Sequence, residues 1–174
     1  LSNILHNSWI NCLLCSTNDK LYIGTYDGLG CLDIPTMDFV STYEINRLLQ
    51  GDVIYALYED LHHNIWVGTS QGLKQLNPQT QKVREYTISD GLPSNSISAI
   101  EGDANGNLWI STNFGISRFN PGTQTFVNFY ASDGLQGNEF SKGVSFASTQ
   151  GEIIFGSTSG ITYFNPGEIT SHKT

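Results

Sequence analysis

Positive charge is the scarcest commodity in this 174-residue chain: 14% of residues are charged, and eight Lys plus Arg stand against sixteen Asp plus Glu, for a net charge of −8. Without a basic stripe, counterion release from a phosphate backbone is not on offer, which argues against nucleic acid and anionic membrane surfaces as partners of this region. No apolar run approaches the roughly eighteen residues of a membrane-spanning helix, so direct membrane insertion is not expected. A charged-then-apolar leader is also missing, and the start at Leu1-Ser2-Asn3 reads as a piece cut from something longer. Cysteine is limited to Cys12, Cys15 and Cys31, an odd number with no counterparts later in the chain. Cys12-x-x-Cys15 has neither a second pair nor a nearby His, so the expectation is ordinary buried or half-buried thiols rather than a redox or zinc site. The nucleophile elbow, the phosphate loop and the His-Glu-x-x-His motif are all absent, so no catalytic residue, cofactor or metal is assigned. No segment carries a long capped helical period, which removes the parallel α/β folds.

What the chain does have is repetition. Tyr22-Ile-Gly-Thr-Tyr-Asp-Gly28-Leu29, Trp66-Val-Gly-Thr-Ser-Gln-Gly72-Leu73, Trp109-Ile-Ser-Thr-Asn-Phe-Gly115-Ile116 and Ile154-Phe-Gly-Ser-Thr-Ser-Gly160-Ile161 share one pattern. It runs aromatic or apolar, apolar, small, hydroxyl, two free positions, Gly, apolar. The small residue falls at Gly24, Gly68, Ser111 and Gly156, at intervals of 44, 43 and 45 residues. A second marker keeps step, with Asn77, Asn120 and Asn165 each preceding a proline and Ile34-Pro35 in the first unit.

Turn chemistry divides each unit into four strands. In the third unit these are Ser96 to Glu101, Leu108 to Thr112, Ile116 to Phe119 and Thr125 to Tyr130. A tandem four-stranded meander of about this length predicts an all-β chain of β-propeller blades. The units fall at about 8–50, 51–93, 94–137 and 138–174, with the last lacking its final strand. The second-strand aromatics Tyr22, Trp66 and Trp109 are expected in the seams between blades. For the missing strand, Leu1 to Leu5, another copy of the chain, or an open arc remain alternatives.

The pattern Asn107-Leu-Trp-Ile-Ser-Thr-x-x-Gly115-Ile-x-x-Phe-Asn-Pro121 resembles the propeller repeats of two-component regulators. The Ser89-Asp-Gly-Leu92 and Ser132-Asp-Gly-Leu135 loops resemble them as well, as does Gly134-Leu-Gln-Gly-Asn-Glu-Phe140 with the following Gly151 to Pro166 segment. The resemblance implies a fragment of a larger propeller of about seven blades in the periplasmic sensor region of a bacterial hybrid histidine kinase. It further implies an oligosaccharide ligand, self-association as a dimer, and signalling by ligand-dependent rearrangement.

A residue type that recurs at the same place in several blades has blade-level work, so site candidates are sought where the repeat breaks. Asp90 and Asp133, the Asn-Pro residues and the tryptophans are therefore set aside as architecture. The turns between second and third strands and the loops between blades are expected on one face of the disc. Tyr26, Asp27, Gln71, Asn113, Phe114, Asn138, Glu139 and Phe140 are the ligand-binding candidates there, with Asn95 and Gln136 nearby. Flat rings can lie on the apolar face of a sugar while amides and carboxylates bond its hydroxyls. His62-His63 reads as an exposed hairpin, and His6 and His172 stand alone. A protein-binding scaffold is the alternative. A polysaccharide lyase or hydrolase is a third reading, for which Asp27 and Glu139 would have to lie about 5–9.5 Å apart.

Overall fold

The computed structural model describes residues 9–40 and 51–169. They form four separate antiparallel sheets, each a meander in sequence order. Blade one holds β1 (Ile10–Cys15), β2 (Lys20–Thr25), β3 (Gly28–Asp33) and β4 (Asp38–Phe39). Blade two holds β5 (Ile54–Glu59), β6 (Ile65–Thr69), β7 (Leu73–Asn77) and β8 (Lys82–Tyr86), and blade three holds β9 (Ile97–Gly102), β10 (Leu108–Thr112), β11 (Gly115–Asn120) and β12 (Thr125–Phe129). Blade four has three strands among the described residues, β13 (Phe140–Ala147), β14 (Ile153–Ser157) and β15 (Gly160–Phe164). Among the described residues helix is confined to three-residue 3₁₀ turns, and none is long and apolar enough to cross a membrane. Leu1 to Leu5, His6 and His172 lie outside the described residues.

Each sheet packs face to face on the next, and the second strands carry the core because both their faces are covered. Along β6, Ile65 and Val67 point toward Tyr22, Leu29 and Cys31 of blade one, whereas Trp66 points toward Ile97, Leu108, Ile110 and Phe119 of blade three. Along β10, Leu108 and Ile110 face blade two, and Trp109 joins Phe140, Ile153 and Phe155 of blade four. Period-two alternation thus sends one second-strand aromatic into each of the three seams, as expected from the repeat. Trp66 and Trp109 are fully buried, and a ring burying ~150–250 Å² contributes about 4–6 kcal/mol.

The small residue of the repeat is explained by the seam. A Cβ at Gly24 would stand 2.6 Å from Ile54 Cγ2, and one at Gly68 would stand 2.6 Å from Ile97 Cγ2. Blade three tolerates Ser111 because its neighbour at the matching register is Phe140, whose Cβ bears no second branch. The hydroxyl that follows ties the next turn: Thr25, Thr69, Thr112 and Ser157 each donate to the carbonyl of the turn glycine and accept from the amide two residues on. Those glycines sit at φ between 96° and 144°, where a side chain is strained.

On the opposite edge, the hairpin between first and second strands is organised by one carboxylate in each of the two middle blades. Asp60 accepts from the amides of His62 and Asn64, from Asn64 Nδ2 and from the Trp66 indole, and Asp103 repeats all four bonds with Asn105, Asn107 and Trp109. Asn77 and Asn120 complete the chain by donating to Asn64 and Asn107 while their own side-chain oxygens accept turn amides. In blade one the corresponding positions are Lys20 and Asp33, which form an ion pair.

One expectation is corrected and another is refined. Cys15 is exposed, because it points away from the seam on a first strand whose outer side faces solvent, while Cys31 is buried and Cys12 intermediate. Burial pushes the Cys12 thiol up to about 11 against a hydrogen bond at Gly24, and burial likewise raises Cys31. His63 is exposed as read, yet it is held rather than loose: its Nδ1 lies 3.1 Å from Glu59 and 2.9 Å from the Thr17 hydroxyl.

Candidate ligand-binding face

The turns between second and third strands rise on the same edge as the segments joining blades. Their backbones establish this, since Tyr26, Ser70 and Asn113 donate to the carbonyls of Trp9, Val53 and Ser96, the residues just before each first strand. Gly115 donates to Asn138 in the same way, across to the next blade.

Of the candidates, Tyr26, Asp27, Gln71, Asn113, Phe114 and Glu139 are exposed on this edge. Phe140 is not, and is removed as a candidate. It is 3% exposed and packs 6.2 Å from the Phe155 ring, because it occupies in blade four the register place that Ile54 and Ile97 fill in blades two and three. Asn138 is reassigned too. Its side-chain oxygen accepts the Ala131 amide at 2.7 Å, just as Asn95 accepts Ile88 at 2.9 Å, so it shapes the loop between blades. Asp90 and Asp133 close the same loops by accepting from the Thr87 and Tyr130 amides.

The exposed candidates are joined by residues the repeat does not mark. Trp9, 77% exposed, meets Tyr26 edge-on at 6.2 Å. Tyr55, on β5, has its phenol raised by burial and then by the neighbouring Tyr26 phenol, and Lys142 lies 3.7 Å above the centre of its ring. A second aromatic pair, Phe114 and Tyr130, stands 5.6 Å apart at the blade three turn. The face therefore presents aromatic surface, amides at Gln71 and Asn113, and carboxylates at Asp27 and Glu139. Among the described residues no three His, Cys, Asp or Glu side chains converge as metal ligands.

A cavity of about 490 Å³ opens elsewhere, between blades three and four, against Trp109, Phe129, Leu135, Phe164 and Ile169. Its origin is architectural. In the preceding seam Phe126, on a fourth strand, stacks on Phe119 at 4.3 Å and closes over Tyr86, whereas no fourth strand follows β15 among the described residues.

A family model described as a two component regulator propeller matches residues 91–114. An extracellular domain described as that of a hybrid two-component system of B. thetaiotaomicron superposes with a TM-score of 0.84 at 28% identity, covering 95% of this chain and 22% of that chain. A second extracellular domain so described, from the same organism, gives 0.73 at 23% identity, with 94% and 22% covered. Virginiamycin B lyase from Staphylococcus aureus gives 0.64 at 17% identity, with 90% and 55% covered, and this likeness is one of fold alone. No curated protein sequence matches the chain. The fold is thus an arc of β-propeller blades spanning 22% of the length of the first of these domains. Residues 91–114 match a two component regulator propeller model, and the chain is similar in fold to extracellular domains described as those of hybrid two-component systems.

Proposed function

We propose that the chain is part of the periplasmic sensor region of a hybrid two-component kinase, and that the face bearing Tyr26, Asp27, Gln71, Asn113, Phe114 and Glu139 binds an oligosaccharide. The single observation that carries the ligand class is the run of exposed aromatics from Trp9 through Tyr26 to Phe114, beside amides and carboxylates on one edge. Such rings supply a platform for the apolar face of a sugar, and the polar side chains bond its hydroxyls. The chain itself carries out no reaction in this reading, and the kinase would lie in other domains. Ligand binding would shift the arrangement of a dimer through different affinities for two states.

Titration calorimetry of the whole periplasmic region against oligosaccharides of different backbone sugars tests this. Tyr26→Ala should weaken the responding ligand about tenfold or more, and silence across every glycan class would remove the proposal. A protein-binding scaffold is a second reading, supported by β15, where Ile161 and Tyr163 are 60% and 68% exposed on a strand whose outer edge pairs with no other among the described residues.

A further inference from the structure

The longest repeat interval hides an insertion. In blade three, Ile97 and Ile100 pair with Thr112 and Ile110, whereas in blade four Phe140 and Ser145 pair with Ser157 and Phe155, so the first strand of blade four carries two more residues between the same two rungs. They form a bulge at Ser141-Lys142-Gly143-Val144, with Gly143 at φ +68°. A bulge re-aims side chains, and this one throws Lys142 across two other blades. Its Nζ lies 2.6 Å from Ser96 Oγ and 3.4 Å from the Ile97 carbonyl of blade three, and 3.7 Å above the Tyr55 ring of blade two.

Two other lysines meet carboxylates: Lys20 pairs with Asp33, and Lys74 with Asp52 at 2.5 Å, while Arg118 lies over the Trp109 ring. Among the described residues no carboxylate pairs with Lys142, although the chain holds twice as many acids as bases. The surrounding protein strips enough water from this ammonium to lower its pKa, while the residue stays exposed. Its contact to Ile97 is long, so that proton can turn toward a stronger acceptor. Ser96 accepts from Lys142 and so keeps its own hydroxyl proton to donate. Two donors and one uncompensated charge therefore stand together beside Tyr55, which adjoins Tyr26.

We infer that Lys142 and Ser96 form an anion-accepting subsite, taking one carboxylate or sulfate group of an acidic oligosaccharide whose ring lies on Tyr55 and Tyr26. This rests on the oligosaccharide reading above and narrows it to acidic sugars. Charge-assisted hydrogen bonds from an ammonium and a hydroxyl suit either oxyanion.

Calorimetry on the full chain with trigalacturonate, a carrageenan-derived sulfated disaccharide and neutral galactotriose separates the possibilities. One acidic probe should bind about tenfold or more tightly than the neutral one, with the gap shrinking as salt is raised. Which acidic probe responds distinguishes carboxylate from sulfate. Lys142→Gln should abolish the gap and Lys142→Arg should keep most of it, with Ser96→Ala giving a smaller loss. Thermal unfolding of each variant guards against a folding defect, since a brace between blades would move the melting temperature and leave the gap intact, which overturns the inference. Equal binding of acidic and neutral probes, or no binding of either acidic probe, overturns it while the oligosaccharide reading stands, since that reading falls only with silence across every glycan class.

Discussion

The carboxylate of Asp60 accepts the indole N–H of Trp66 at 2.8 Å, six residues further along the same hairpin. The ring is otherwise sealed in the seam between blades two and three, and Asp60 is the partner of its one polar atom. Asp60→Ala strands that N–H together with the amides of His62 and Asn64, and should cost about 2–3 kcal/mol. Urea unfolding measures it, and the same substitution in a Trp66→Phe background should cost less, because the indole donor is gone. Equal costs in both backgrounds would show that the carboxylate serves only the turn.

The seams also predict opposite outcomes for two alanines at equivalent places. Gly68→Ala puts a methyl 2.6 Å from Ile97 Cγ2 and should destabilise by about 1–3 kcal/mol. Ser111→Ala deletes a buried hydroxyl that has no partner among the described residues, and should be neutral or stabilising. Thermal unfolding of the pair decides: a Gly68→Ala variant as stable as the parent would refute the close-packing account.

These two cases show what the sequence carried. Small-then-hydroxyl before the turn glycine was legible as a repeat, because Gly68, Thr69 and Gly72 each have a job that only one residue type does well. The Asp60 and Asp103 bonds were harder to see, since the spacing to tryptophan occurs in two blades and is replaced in the others by Ser16 with Tyr22 and by Ser148 with Ile154. Phe140 follows Gly137-Asn-Glu and so looks like loop, but its place is set by pairing with Ser157 across the sheet. Tyr55 and Lys142 were invisible to the repeat because a bulge moves a first-strand residue onto the rim, and bulges leave no composition signal beyond a longer interval.

Thiol chemistry should separate the three cysteines. Cys15 is exposed, Cys31 is buried, and Cys12 has its thiol pushed up to about 11. Since the thiolate is the nucleophile, iodoacetamide at pH 8 should modify Cys15 first and leave the other two until the chain unfolds. Peptide mass mapping over time reads the order, and early modification of Cys31 would contradict the packing of blade one on blade two.

Acid should loosen the contact between those same blades. Glu59 is 10% exposed; burial pushes its carboxyl up, but the Thr17 hydroxyl and amide and His63 together hold the net value below the ordinary range. A depressed folded value means the contribution is present above the ordinary glutamate range near 4.3 and is lost as pH falls through the folded value. Glu59→Gln should therefore lose stability at pH 7 and show a shallower fall in acid. Parallel curves for variant and parent would place the linkage elsewhere.

Glu101 should behave with the opposite sign. It takes in blade three the place opposite Trp109 that Tyr58 takes opposite Trp66, so a carboxyl stands where blade two uses an aromatic ring. Burial raises its pKa, only partly countered by the Ser145 hydroxyl. A folded value above the unfolded one means that stability is fully present below the ordinary carboxylate range and is lost as pH rises through the folded value. At neutral pH this buried carboxyl is thus a burden on the seam between blades three and four. Glu101→Gln removes the charge and keeps the shape, so it should unfold at higher urea than the parent at pH 7, with the two midpoints converging as pH falls toward 4. A variant weaker than the parent at pH 7, by a margin that does not change with pH, would mean that the carboxyl's packing and hydrogen bond, and not its titration, set its contribution.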